Sequence, residues 1–226
     1  MGLLAEDLLL LLLDDETGKL AASSYADTAL GGAVLSDLAI LGTVAVRERE
    51  RPWHSSTVEA VPGAPRPSDP LLADKLAVVA EKPRPASSLV SRLGKDVRPR
   101  LLETLAARGV LERREDRVLG LIPRRRWPAV DSRHEEEVRR ALAAVLLRRA
   151  EPDARTAALV GLLQAVGQAH RVVPHPGVPD RDVRARAKEV ADGDWGSDAV
   201  RRVVQSSQAA VITAISAGAV ATGGSG

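Results

Sequence analysis

Read for its apolar positions, the chain opens on six consecutive leucines, Leu8–Leu13, closed at once by the polar turn Asp14-Asp15-Glu16-Thr17-Gly18-Lys19. Six is far short of the roughly 20 apolar residues needed to cross a bilayer. The run therefore predicts a short, fully internal helix over Glu6–Asp14. A second helix is predicted over Ser23–Gly42, where Leu30, Val34, Leu35, Leu38 and Leu41 recur at helical spacing and Gly42 makes a fitting stop. Thr43–Glu48 alternates around Val44 and Val46 and predicts a short strand, with Trp53–Val61 as its hairpin partner. Pro62–Pro70, dense in proline, reads as a loop.

Asp69–Lys82 predicts a helix with Asp69 as N-cap and Pro70 at its first position. Ser87–Leu93 and Leu101–Arg108 follow as short helices, the latter stopped by Gly109. Val110–Arg113 and Arg117–Ile122, joined by the polar turn Arg114–Asp116, read as a β-hairpin. Helix, glycine and hairpin in that order also trace the outline of a winged helix. Glu135–Arg149 is strongly periodic. Asp153 caps a helix over Ala154–His170, Asp180 opens one over Arg181–Ala191, and a last helix runs from Ser197 or Asp198 to about Gly218. The sum is mainly α, with two small hairpins.

Composition sharpens this picture. Apolar residues make up 45% of the chain, yet there is no Phe, one Tyr and three Trp. An aliphatic core of Leu, Ala and Val favours helix over sheet. The absence of cysteine excludes disulfides, thiolate zinc sites and thiol catalysis. Net charge is only +2, and arginine greatly outnumbers lysine. The Arg and Ala excess reads as the codon bias of a GC-rich bacterial genome, with no basic tail of nucleic-acid type. The start lacks the basic region of a signal peptide and the residue that myristoylation requires, and Ala209–Ala221 is too short and too small-sized for a membrane span. A cytoplasmic protein is expected, with any membrane contact peripheral.

No catalytic constellation emerges. His54, His134, His170 and His175 share no i, i+4 face, which argues against a metal site. Gly31-Gly32 and Gly223-Gly224 match no phosphate-binding loop, and no nucleophile elbow is present. The cluster Glu135-Glu136-Glu137 reads as the solvated first turn of a helix, favoured by the helix dipole. The expectation is a protein that is not an enzyme and uses no cofactor or metal.

Four blocks in order resemble the Golgi phosphoprotein 3 family: Leu4–Leu11 with Asp15–Gly18, Leu30–Gly42, Val97–Leu101 through Leu105–Leu111, and Asp153–Val160 with the C-terminal helix region. The resemblance implies one domain over residues 1–221, with a central helical bundle, surrounding helices and one or two small β-hairpins, followed by a flexible tail at 222–226. It also implies function. The eukaryotic members are not enzymes; they bind phosphatidylinositol 4-phosphate on Golgi membranes and hold glycosyltransferases and coat components there. Their headgroup pocket uses a Trp after the first helix, an Arg in the second, and two basic residues one helical turn apart. Lys95 and Arg98 match the last two, the Arg position falls on Gly31, and the Trp position falls near Ala22. Half of the pocket is therefore missing. One hydrogen bond to a charged group contributes roughly 1.5–3 kcal/mol, so losing the Arg alone weakens binding about ten- to a hundred-fold.

Two segments carry candidate chemistry on this reading. Asp96 suits an N-cap and Pro99 suits only the first turn of a helix, which places Arg98 at a helix N-terminus, where free N–H groups and the dipole favour phosphate. Arg124-Arg125-Arg126-Trp127 follows the second hairpin, whose family counterpart touches the bilayer. Arginines near an anionic surface contribute roughly 1 kcal/mol each, and a Trp suits headgroup depth. The alternative for that segment is a loop whose Trp packs back onto the core. Trp195 reads as a packing anchor. Three roles follow: a peripheral membrane adaptor for an anionic lipid headgroup, with possible client proteins and no nucleic acid; a protein–protein interaction scaffold with a degenerate lipid pocket; and a winged-helix DNA-binding regulator.

Overall fold

The computed structural model describes residues 2–14, 17–48, 56–118 and 122–223, with the backbone alone at 115–118, 122–125 and 218–223. In chain order it contains α1 (Leu4–Leu12), α2 (Ala26–Ile40), β1 (Val44–Arg47), β2 (Thr57–Ala60), α3 (Pro70–Ala80), α4 (Ala86–Leu93), α5 (Val97–Ala107), β3 (Arg114–Val118), β4 (Ile122–Arg126), α6 (Arg133–Leu147), α7 (Ala154–Ala165), α8 (Asp180–Asp192) and α9 (Asp198–Gly223). The strands form two antiparallel pairs, β1 with β2 and β3 with β4. The fold is mainly α.

All nine residues of α1 are buried. A helix that is apolar on every face has to lie inside, and α1 sits among α2, α5, α6 and α7. Its polar residues, Glu6 and Asp7, are buried with it. Such a helix start also buries N–H groups that have no partner in their own helix. Here Asp37 of α2 supplies the cap, accepting from Leu4 N at 3.0 Å and Ala5 N at 3.2 Å.

α2 is the second internal helix, packed against α1, α4, α7 and α9. Its small residues permit close approach. A Cβ on Gly31 would lie 1.9 Å from the Val90 carbonyl oxygen, and one on Gly94 would lie 2.0 Å from the Asp27 carbonyl oxygen. The backbones of α2 and the end of α4 thus touch where any side chain would separate them. Ser36 Oγ donates to Gly32 O and lies 3.2 Å from Ser207 Oγ of α9.

Several boundaries differ from the sequence reading, for identifiable reasons. α7 stops at Ala165 rather than His170, because Gly167 takes φ +70° just beyond the last turn and ends the helix. α9 continues through Gly223, past the expected end and into the segment read as a tail. The second hairpin is shifted toward the C-terminus: Leu111 is buried and bridges to Ala129, so the strands begin at Arg114. In the shifted register Arg114 stands opposite Arg126 and Val118 opposite Ile122. Asp69 and Asp153 cap α3 and α7 as expected. Asp96 does not cap α5; it adopts φ +59° and its side chain makes no cap bond. Glu135 is not solvated but buried and paired with Arg139, while Glu136 and Glu137 are exposed. Trp195 is buried, its Nε1 donating to Val190 O at 2.9 Å. His54 and Trp53 lie outside the described residues.

Candidate functional site: the corner of α2, α4 and α5

The link from α4 to α5 is Gly94-Lys95-Asp96. Because Gly94 has no side chain, this link presses onto the first turn of α2. Pro99 falls in the first turn of α5, the one part of a helix that tolerates it. Arg98 is then carried to Asp27: Nε lies 3.1 Å from Oδ1, and an outer nitrogen donates to Oδ2 at 3.3 Å. Both partners are partly exposed. Such a pair is worth about 0–1 kcal/mol, so Asp27 orients the guanidinium without holding it firmly against a competing phosphate.

Around Arg98 the corner sets cations among the acids Asp27, Asp74 and Asp96. Lys95 is exposed, and its carbonyl accepts from Lys75 Nζ at 2.6 Å. Lys75 is itself buried, which lowers its pKa, and the nearby Arg100 lowers it further. Arg100 pairs with Asp74 at 3.0 Å. Arg92, in the last turn of α4, is exposed. Of the sequence-predicted pair, Arg98 lies beside the first turn of α2, and Lys95 is exposed in the link that precedes α5.

The other two pocket positions contribute no ligand. Gly31 is sealed against the Val90 carbonyl, and its missing side chain is what lets α4 approach. Ala22 is half-buried in the turn before α2, at φ +50°, a region that a bulky residue rarely adopts. The second candidate segment is corrected in part. Trp127 is 8% exposed and belongs to the core, so it does not face a bilayer. It is locked there by the first turn: a Cβ on Gly18 (φ +60°) would lie 2.4 Å from Trp127 N. Arg126 is half-buried, and the side chains of Arg124 and Arg125 lie outside the described residues.

Two polar clusters escaped the sequence reading. At the start of α1, Glu6 accepts from Arg108 at 2.7 Å, and Asp7 pairs with Arg155 at 2.6 Å and His134 Nε2 at 2.7 Å. Asp37 joins them, 3.7 Å from Arg155. Burial raises the Asp37 pKa to about 6, outweighing the two backbone N–H groups and Arg155, which lower it. Glu6, Asp37, Arg108 and Arg155 line a hollow of about 640 Å³. At the start of α8, Asp180 lies 3.0 Å from His175 and 3.6 Å from His170, beside Arg184. The only sequence signal for the first cluster was an acid, Asp37, inside an apolar helix.

A family model for Golgi phosphoprotein 3 (GPP34) matches residues 4–207. The chain belongs to the Golgi phosphoprotein 3 family. The match runs from the start of α1 into α9, so the internal helices and the α5 corner all lie within the Golgi phosphoprotein 3 region. Among curated proteins, none matches the chain. Among the described residues, no helix is long and apolar enough to cross a membrane.

Proposed function

We propose that this Golgi phosphoprotein 3 family member is a non-catalytic peripheral membrane adaptor that binds an anionic lipid headgroup at the corner of α2, α4 and α5. The observation that carries the reading is the contact of Arg98 with Asp27 in the first turn of α2, at the N-terminus of α5 and three residues beyond the exposed Lys95, where helix and side-chain charge would favour phosphate together. With the Arg and Trp of the family pattern replaced, affinity for a single headgroup is low. Firm attachment then needs a second contact, from the membrane or from a client protein.

Flotation with vesicles of neutral lipid, with and without phosphatidylinositol 4-phosphate or phosphatidylglycerol, tests this. Binding to the anionic vesicles alone is expected. Reversing both charges (Lys95→Glu with Arg98→Glu) abolishes it, at roughly 1 kcal/mol per lost cation and more for reversal. Equal behaviour on all vesicles defeats the reading.

A protein–protein scaffold is favoured by one observation, the hold of Asp27 on Arg98 in the absence of the other pocket residues. Asp27→Asn separates the two: it strengthens vesicle binding in an adaptor and changes nothing in a scaffold. DNA binding is disfavoured, because α5 buries Leu101 and Leu105, carries Glu103 among its outward residues, and belongs to a chain whose net charge is only +2.

A further inference from the structure

The geometry points to a second binding site, between α7, α8 and α9, for a small amphipathic molecule whose apolar body carries a carbonyl oxygen. The hollow there has a volume of about 590 Å³ and shares no residue with the α5 corner. Its walls are largely apolar, from Ala165, Ala191, Ala209 and Ile212. That size and lining are typical of small-molecule sites, in which a few polar groups fix the ligand.

The polar group is Gln208. Its residue is 6% exposed, and its amide Nε2 is buried without a hydrogen-bond partner. Orphaned buried donors are rare, because each costs the desolvation of the group with nothing in return. The neighbouring Gln205 is not in this position: its amide donates to Ala191 O at 3.4 Å.

Gly161 is what makes room for the Gln208 amide. A Cβ there would lie 2.0 Å from Nε2 and 2.3 Å from the amide carbon. The amide thus fills the space of an absent side chain, with Nε2 turned to Gly161 and closed to solvent, beside the hollow that both residues line. The two ends of an amide are nearly the same shape, so a half turn exchanges donor and acceptor. With the amide turned so that Nε2 meets the hollow, a ligand oxygen would satisfy the donor, while its apolar body lies along Ala165, Ala209 and Ile212. Lys188 and Asp192 at the rim present one charge of each sign, so the shared requirement is the oxygen rather than the net charge of the head.

Calorimetric titration of the full chain with decanoate and, separately, decanamide tests the site and distinguishes a carboxylate from a neutral head. Saturable binding of at least one is expected. Gln208→Leu keeps the apolar lining, removes the orphaned donor and should not lower the melting temperature. It should weaken binding roughly ten-fold, the worth of one hydrogen bond to a buried group. Gly161→Ala forces the amide into the hollow and should weaken binding as much. If Gly161→Ala does not fold, the Gln208→Leu comparison decides alone. Failure of both compounds to bind the natural chain, or undiminished binding by Gln208→Leu, overturns the assignment.

Discussion

Replacing Asp37 by asparagine sets two effects of known sign against each other. The carboxylate caps the start of α1 through Leu4 N and Ala5 N, and loss of a buried cap ordinarily destabilises. Yet burial raises the Asp37 pKa from 3.8 to about 6, so the charged form is disfavoured in the fold relative to the unfolded chain. Between those two values the native state holds a proton that the unfolded chain has released. Stability therefore falls as pH rises through this window and levels off above about pH 6. A shift of this size corresponds to at most about 3 kcal/mol. Asparagine has the shape of the protonated acid and never ionises, but its NH2 group cannot accept as the second carboxyl oxygen does, so one of the two N–H groups at the start of α1 loses its acceptor. Asp37→Asn should fall about 1–3 kcal/mol below the natural protein near pH 4, for the N–H group left without an acceptor, and should gain up to about 3 kcal/mol relative to it on going to pH 7. Asp37→Ala, which leaves both N–H groups bare, should lose about 2–4 kcal/mol near pH 4, where the charge no longer matters. Urea denaturation followed by circular dichroism at the two pH values gives these differences. A neutral-pH loss in Asp37→Asn that does not change with pH would show the carboxylate to be net stabilising and refute the reasoning.

The remaining predictions follow from the same packing. Gly31→Ala should fail to fold or lose well over 3 kcal/mol, because backbone rather than a movable side chain meets the new Cβ; a soluble variant with an unchanged melting curve would contradict the close approach of α2 and α4. The family-pattern substitution Gly31→Arg should fare worse, and so cannot restore a lipid pocket. Trp127→Ala should cost about 3–5 kcal/mol in chemical denaturation while leaving vesicle flotation of the folded fraction unchanged; flotation loss without destabilisation would return Trp127 to the membrane. Leu9→Ala, in the fully buried α1, should cost about 2–5 kcal/mol by the same assay.

Much of the fold was legible because it is written in local chemistry. The leucine run could only be internal, and Asp69-Pro70 and Asp153 mark helix starts that need no tertiary knowledge. The site was half legible. Pro99 marks the helix start beside Lys95 and Arg98, but Asp27, the acid that meets Arg98, is 71 residues away and carries no local sign. Gly31 was read as a vacant ligand position, when its lack of a side chain serves packing. Trp127 shows the same limit: an aromatic after three arginines fits an interface or a core equally well, and only the contact with Gly18 decides. Glu6, Asp7 and Asp37 were hidden for a simpler reason. Pattern reading places acids outside, and three acids inside are tolerated only because Arg108, Arg155 and His134 arrive from other helices.

The adaptor reading is tested most directly by amide-resolved NMR of the full chain titrated with inositol 1,4-bisphosphate, the headgroup chemistry freed from the membrane. Saturable shifts confined to Gly94–Arg100 and the first turn of α2 are the result that the corner predicts. Shifts centred instead on Arg171, His175 and Arg184, or none at all, would contradict it.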